Sequence, residues 1–147
     1  MNTEHTKVVF YLLSNDSQKA RDLYLCRLVE KAFIETRKIY INADTIEETQ
    51  TIDTQLWTFR DISFVPHALM DKNVQKTAPV IIGHNEPPSL NFDILINLSR
   101  EIPPFHRNFK HIIEFIPNDE VYKKIGRNHY KCYQQQGYQI ETHNIQN

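Results

Sequence analysis

The sequence contains few glycines, and this shortage excludes one large class of binding site. Only three glycines occur in the 147 residues, and the turn LLSNDSQKA that follows the first predicted strand has none. A phosphate group approaches the backbone closely only where glycine removes the side chain, and neither GxGxxG nor GxxxxGK[ST] is present. The sequence therefore excludes the glycine-rich loops of dinucleotide-binding and P-loop proteins.

Cysteines and long apolar runs are also scarce. Cys26 and Cys132 lie far apart and form no CxxC motif or Cys/His ligand spacing, which argues against a disulfide framework and a structural zinc site. The amino terminus lacks the features of a signal peptide, and no apolar run approaches the roughly 20 residues of a transmembrane helix. We therefore expect a protein of the reducing cytoplasm that does not contact a membrane.

Motifs for catalysis are missing as well. The seven histidines are scattered without HExxH or an i, i+4 pair, and there is no GxSxG motif. The nearest approach to a cluster lies between His106 and His111, and we interpret it as a solvated surface. The sequence thus predicts no enzyme, no metal ion and no cofactor.

The sequence does contain an alternation of strand and helix patterns. Continuous apolar runs predict strands, and apolar residues at three- and four-residue steps predict amphipathic helices. The predicted strands cover residues 8–13, 38–43, 79–83, 93–98 and 111–116, and the predicted helices cover residues 20–33, 44–57 and 118–135. The segment 63–69 is interpreted as an apolar loop because it contains a proline. We expect one α/β domain over residues 1–147, with a mostly parallel sheet, helices on both faces and a Rossmann-like layout without a phosphate-binding loop.

Positive charge is concentrated near the carboxyl end. The whole chain has 17 basic and 18 acidic residues, yet residues 121–140 hold four basic residues and no acidic one. On a helix, Lys123, Arg127 and Lys131 are spaced i, i+4 and i+8, so they form one stripe. Tyr130 lies beside this stripe. Because the net charge is only −1, we expect any anion to bind locally and expect no direct, specific nucleic-acid binding.

Aromatic residues accompany the stripe. Tyr133 and Tyr138 are expected near its carboxyl end, so cations and rings would share one surface. Such a surface suits a free carboxylate preceded by acidic and apolar residues, and single-stranded nucleic acid fits in principle. The competing interpretation is a solvated helix face whose tyrosines belong to the core. Cys26 and Cys132 are both interpreted as buried helix residues.

A second group of large apolar residues extends from Trp57 through Phe64 to Leu69, across a predicted helix end and loop. Loops usually run over the surface, so some of these side chains could be exposed. An exposed group would be a protein-binding site, and a covered group would be a small core beneath the loop. The sequence leaves both interpretations open.

Four short motifs occur in a fixed order along the chain. They are FYLL, LW followed by SFVPH, DILI followed by NL, and FIP followed by RxxYKxY. Together they span about residues 7–142 and resemble the chi-subunit family of bacterial DNA polymerase III holoenzyme. The resemblance implies a non-catalytic accessory of the clamp loader. It also implies two partners, the psi subunit and the acidic C-terminal tail of single-stranded DNA-binding protein (SSB).

The resemblance further assigns residues to each partner. The SSB-tail site would comprise Ile116, Lys123, Arg127, Tyr130 and Lys131, and the psi-binding surface would comprise Trp57, Phe64 and Leu69. The cations would hold the carboxylates, with Arg127 as the bidentate clamp, while Ile116 and Tyr130 would enclose the terminal aromatic ring. Relatives can carry another base where this chain has Gln134, so the tail would be held with one charge fewer.

The expected function is therefore an adaptor that links the clamp loader to SSB-coated single-stranded DNA. The alternative is a small α/β enzyme or binding protein that acts on a nucleotide or phosphate ester through the basic helix and His106 or His111. Stabilisation by a mononucleotide would favour that alternative.

Overall fold

The apolar run near the start of the chain forms an interior strand of a parallel sheet. The computed structural model describes residues 6–58, 66–70, 78–88 and 92–146. The strands are β1 (Lys7–Leu13), β2 (Ile39–Asn42), β3 (His67–Leu69), β4 (Val80–Gly83), β5 (Ile94–Asn97), β6 (His111–Ile116) and β7 (Gln139–Ile145). The helices are α1 (Gln18–Ile34), α2 (Ile46–Thr58) and α3 (Glu120–Gln135), with a 3₁₀ helix at Pro104–Asn108. The strands form one sheet in the order β3-β4-β2-β5-β6-β1-β7, and every pair is parallel. The predicted α/β class is confirmed.

Local sequence signals set the ends of α1 and α3. The Ser17 hydroxyl accepts a hydrogen bond from the backbone N–H of Ala20 and caps α1. The Asp119 carboxylate accepts from two backbone N–H groups in the first turn of α3, which also begins with the favourable negative charge of Glu120. Gly137 has φ +82°, the left-handed conformation that commonly follows a helix and that glycine adopts without strain.

The helices cover the two faces of the sheet unequally. Helices α1 and α2 pack on one face, where Leu25, Val29 and Ile52 meet the isoleucines of β2, β4 and β5. Helix α3 packs on the other face, where Tyr133 is completely buried against Val8 and Phe10 of β1. Successive side chains of a strand point to opposite faces, which divides the core into these two layers.

Two strands were not predicted from the sequence. His67–Leu69 forms β3 at one edge, so the interpretation of 63–69 as a loop is wrong for these three residues. Gln139–Ile145 forms β7 at the opposite edge. A proline just before β3 and many polar residues in β7 hide both patterns, and edge strands tolerate both features because their outer side needs no ladder partner.

Candidate functional site

A pocket opens between α3 and the face of strand β1. Its volume is about 330 Å³. The strands contribute Phe10, Leu12, Leu13, Ile116 and Thr142, and α3 contributes Lys123, Gly126, Arg127 and Tyr130. Four of the five residues that the resemblance assigns to the tail site therefore line one pocket. The fifth, Lys131, is exposed one turn beyond Arg127 on the same stripe.

The rim of this pocket is cationic. Arg127 is exposed, and its guanidinium has no carboxylate partner within the described part of the chain. The Lys123 ammonium lies 3.9 Å from a carboxylate oxygen of Glu120, a loose and exposed contact that contributes little to stability. Both charges are therefore available to an anion at the pocket entrance.

The interior of the pocket is apolar and aromatic. The Tyr130 ring is 39% exposed, and its centroid lies 5.6 Å from that of Phe10 in a tilted arrangement. Ile116 also lines the pocket and is buried. A ligand with an apolar ring could bury the ring in this space while a negatively charged group of the same ligand stays at the cationic rim.

Gly126 makes room for the wall of the pocket. A Cβ atom at this position would lie 2.5 Å from Cδ1 of Ile116, which is much closer than van der Waals contact. Glycine in the middle of a helix costs about 1 kcal/mol relative to alanine. The close approach of α3 to Ile116 offsets this cost and is part of what shapes the pocket.

A buried polar network anchors α3 to the sheet beneath the pocket. The Glu114 carboxylate on β6 accepts hydrogen bonds from the Tyr133 hydroxyl at 2.7 Å and the Asn97 amide at 3.0 Å. His129 Nδ1 lies 3.0 Å from Glu114 Oε1, and His129 Nε2 lies 2.8 Å from the Arg100 carbonyl oxygen. The Arg100 carbonyl and an ionised Glu114 carboxylate can only accept, so both ring nitrogens donate when the imidazole carries two protons, the form that the raised pKa of His129 favours. Glu114 and His129 form a buried ion pair.

This ion pair predicts that stability falls at alkaline pH. Burial alone lowers the pKa of His129, but the hydrogen bond and charge of Glu114, with the Arg100 carbonyl, outweigh burial and raise it above the ordinary value. The stabilisation is fully present below the unfolded pKa of about 6.5 and is lost as the pH rises through the folded pKa. Urea unfolding from about pH 6 to about pH 9 measures the loss.

The matched control is His129→Gln, which removes the titrating ring and keeps a donor. The variant should be less stable at the acid end of the range and should lose the part of the pH dependence that belongs to His129. An unchanged slope would assign the pH dependence to other groups.

At the place where nucleotides bind in Rossmann-like sheets, two loops of the chain are hydrogen-bonded to each other. That place is the crevice beyond β1 and β6, from which α1 and α3 leave on opposite faces. Here the Asn118 backbone N–H donates to the Asn15 carbonyl at 3.0 Å, and its side-chain amide donates to Ser14. At the start of α1, the Ala20 backbone N–H donates to the Ser17 side chain. At the start of α3, the Val121 and Tyr122 backbone N–H groups donate to the Asp119 carboxylate.

Comparisons with known proteins agree with the resemblance described above. The model of the family "DNA polymerase III chi subunit, HolC" matches residues 5–141. The DNA polymerase III subunit chi of Pseudomonas aeruginosa is 33% identical over 140 residues, which cover 95% of this chain and 97% of the relative. The chi subunits of Haemophilus influenzae and Escherichia coli are 31% and 28% identical, over 92% and 90% of this chain and 95% and 94% of those relatives. The chain belongs to the chi-subunit family of DNA polymerase III. A role as an accessory in DNA replication follows from this membership.

The fold of this chi-family protein also occurs outside the family. The crystal structure of T4 UvsW superimposes with a TM-score of 0.70 at 8% sequence identity. The alignment covers 96% of this chain and only 41% of the UvsW chain. At this identity, the likeness concerns the fold alone.

Two of the three residues that the chi resemblance assigns to psi, Trp57 and Leu69, lie at the far edge of the sheet from the pocket. The Trp57 indole is 47% exposed, and its ring centroid lies 4.3 Å from that of His67. Leu69 is half-buried and packs against the core beneath α1 and α2. Phe64 lies outside the described residues. The sequence left open whether this group is an exposed protein-binding site or a small core. Trp57 fits the first interpretation, because its ring is exposed, and Leu69 fits the second, because it packs against the core.

Several expectations about the basic helix need correction. Tyr133 is 0% exposed and Tyr138 is 6% exposed, so these rings belong to the core, not to the surface beside the cations. Cys132 is exposed rather than buried, whereas Cys26 is buried as expected. The aromatic partner of Tyr130 is instead Phe10, more than a hundred residues earlier in the chain.

Two further findings concern membranes and metals. No described helix is both long and apolar enough to cross a bilayer. Within the described ranges, no three side chains of His, Cys, Asp or Glu are grouped so that they could hold a metal ion. His106 of the sequence cluster instead forms a 2.8 Å hydrogen bond with the Tyr138 hydroxyl.

Proposed function

We propose that this protein is a non-catalytic replication adaptor that binds the acidic C-terminal tail of SSB in the pocket between α3 and β1. It binds the psi subunit through the surface around Trp57 and so links the clamp loader to coated single-stranded DNA. One observation carries the tail assignment: an apolar, aromatic pocket has two available cations at its entrance. A chain that ends in an aromatic residue with a free carboxylate complements both parts.

The two ends of such a peptide use different forces. Desolvation of the terminal ring against Phe10, Ile116 and Tyr130 supplies most of the binding energy. Arg127 and Lys123 at the rim attract the carboxylates, and Lys131 extends the positive surface by one helical turn toward the preceding acidic residues. Since these charges are exposed, added salt weakens the contact.

A weak tail contact is sufficient for an adaptor. SSB coats a template as many copies, so many tails surround the clamp loader at once. While psi anchors the adaptor at a separate surface, each further tail contact forms at a high effective concentration. The two binding surfaces lie at opposite parts of the sheet, so both partners can bind together.

The test is a calorimetric titration of the full chain with the C-terminal tail peptide of the SSB of the same organism. A second peptide that lacks the last residue serves as the control. We expect micromolar binding that decreases with salt and disappears with the shortened peptide. Absence of binding at low salt would overturn the tail assignment.

Arg127→Ala should weaken tail binding by roughly 1–3 kcal/mol, because it removes a charge-assisted bond to the carboxylate. The same titration measures the loss, and thermal unfolding checks that the fold is intact. The control is Arg100→Ala, which also removes an exposed arginine but lies outside the pocket, where its guanidinium nitrogen is 3.5 Å from Asp44. Equal affinity of Arg127→Ala and the unmodified chain would remove Arg127 from the site.

The psi assignment has its own test. Trp57→Ala removes a ring that is about half exposed, so it should weaken psi binding and leave tail binding unchanged. Phe64→Ala, chosen from the sequence, should do the same. A pull-down with psi and the tail titration measure the two effects separately. A loss of tail binding in either variant would contradict two separate surfaces.

A further inference from the structure

Helix α3, which forms one wall of the pocket, is attached to the sheet by few side chains. Its buried residues are Gly126, His129 and Tyr133. Gly126 lies against Ile116, but the other two contact the Glu114 carboxylate of β6. His129 Nδ1 lies 3.0 Å from Glu114 Oε1, and the Tyr133 hydroxyl donates to Glu114 Oε2 at 2.7 Å. A single carboxylate therefore holds the helix at two buried positions.

These two contacts lie on either side of the aromatic wall of the pocket. Tyr130, which lines the pocket, directly follows His129 in α3. The Phe10 ring contacts two rings of α3, with centroid distances of 5.6 Å to Tyr130 and 6.0 Å to Tyr133. The bond of the Tyr133 hydroxyl to Glu114 fixes the ring that supports Phe10. The positions of both pocket rings thus depend on contacts that lie behind them.

The contacts of His129 depend on its protonation. With two protons, the imidazole donates to Glu114 and to the Arg100 carbonyl oxygen, which lies 2.8 Å from Nε2. A neutral ring has one donor, so one of the two acceptors would face a nitrogen lone pair. The side chain of His129 is 6% exposed, so water cannot separate these atoms. Loss of the proton therefore weakens the attachment of α3 at the residue next to Tyr130.

We propose that Glu114, His129 and Tyr133 are positioning residues for tail binding, which hold α3 where its side chains and β1 together shape the pocket. None of the three lines the pocket, so they act through Tyr130 and Phe10. The inference rests on the proposed function, because it concerns the pocket assigned to the SSB tail. The tail binds best to the form in which His129 is protonated, and its affinity falls as the pH rises and that proton is lost.

Other ionisable groups near Glu114 keep their charge over the relevant pH range. Arg21, Arg100 and Tyr122 line a small cavity that Glu114 also lines. Arginine stays charged and tyrosine stays neutral between about pH 6 and about pH 9. The carboxylates of a peptide also stay ionised in this range. These groups therefore do not account for a change in tail affinity over this range.

His106 is a neighbouring histidine that the test must separate from His129. Its ring centroid lies 6.2 Å from that of Tyr133. Burial and the charge of Arg107 lower the pKa of His106. The bond and charge of Glu114 outweigh burial and raise the pKa of His129. His106 therefore loses its proton at a lower pH than His129 does.

The first test removes one hydroxyl. Tyr133→Phe keeps the ring beside Phe10 but loses the bond to Glu114, so calorimetry with the SSB-tail peptide should show about threefold to tenfold weaker binding. A merely structural role would reduce the number of binding sites per chain and leave the Kd unchanged. Tyr138→Phe is the matched control, since its buried hydroxyl contacts His106 instead, and it should bind normally. Unchanged affinity in Tyr133→Phe, or an equal loss in both variants, overturns the proposal.

The second test follows the pH profile of tail binding. The unmodified chain should bind the peptide about threefold to tenfold more weakly at about pH 9 than at about pH 6. His129→Gln should bind weakly throughout with little pH dependence, while His106→Gln should keep the profile. Coupling is reciprocal, so the peptide should also raise the pKa of His129, which NMR of the histidine ring measures. A pKa that the peptide leaves unchanged overturns the proposal.

The outcomes separate this inference from the proposed function. If the unmodified chain binds the tail peptide equally well at both pH values, the adaptor function stands and the positioning role is wrong. If it does not bind the peptide at either pH, the tail assignment and this inference are both wrong.

Discussion

Glu114→Leu should lower the free energy of unfolding by about 3–5 kcal/mol at pH values where His129 is charged. The substitution leaves a buried imidazolium without its counter-charge and removes the acceptor of the Tyr133 hydroxyl and the Asn97 amide. The side chain of Glu114 is 4% exposed, so water cannot replace these contacts. Urea unfolding at about pH 6 measures the effect, and the loss should shrink at higher pH, where His129 is neutral.

Two comparisons make this result specific. Glu114→Gln keeps an acceptor for Tyr133 and should lose less stability than Glu114→Leu, although its amide nitrogen replaces the oxygen that faces His129. Glu141→Leu applies the same large change to a glutamate on the edge strand β7, where the carboxylate is exposed beside Lys7 and His143. That variant should unfold as the unmodified chain does. Similar losses at positions 114 and 141 would contradict a structural role for the buried pair.

Gly126→Leu should abolish tail binding, with a loss of at least about a hundredfold or ~2.7 kcal/mol. The new side chain begins where a Cβ already meets Ile116, so it or the displaced Ile116 must occupy the pocket. Higher helix propensity and overpacking act in opposite directions on stability, so the fold should survive. Calorimetry with the tail peptide measures the loss, and circular dichroism confirms the helix content.

Asn128→Leu controls for the added leucine, because Asn128 is exposed on α3 and does not line the pocket. It should bind the tail normally. Gly126→Ala should have an intermediate effect, since Cδ1 of Ile116 is the mobile end of a side chain and can shift by the required distance. Full affinity in Gly126→Leu would mean that the peptide binds the cationic stripe without entering the pocket.

Local signals in the sequence predict most of the elements. Capping residues and a following glycine mark α3, and the amphipathic spacing of α1 places Leu25 and Val29 in the core. The β3 strand is too short for a periodic pattern, and β7 alternates too weakly because most of its side chains are exposed. Both segments become strands because each pairs with the edge of the sheet, and that pairing depends on the rest of the fold.

The pocket is predicted only in part. The i, i+4 spacing brings Lys123 and Arg127 to one face of a helix, which any sequence reader can recognise. Phe10, Leu12 and Thr142 join them through strand pairing, and no local pattern indicates this. The sequence places Tyr133 beside the basic stripe, but the structure buries its ring against Val8 and Phe10 of β1, and its hydroxyl donates to Glu114. Gly126 is the one residue in the sequence that points to the pocket. Glycine is unfavourable in the middle of a helix, so its presence there indicates a close approach of another element.

The pairing of β1 also determines the order in which this fold can be completed. Lys7 is paired with His111 on one side and Gln139 on the other, so both neighbours of β1 come from the last third of the chain. A ribosome that adds about 5–20 residues per second leaves this apolar segment without a ladder partner for several seconds. The half of the sheet that carries the pocket can close only after residues 139–145 have been synthesised, and until then β1 can mispair with another chain.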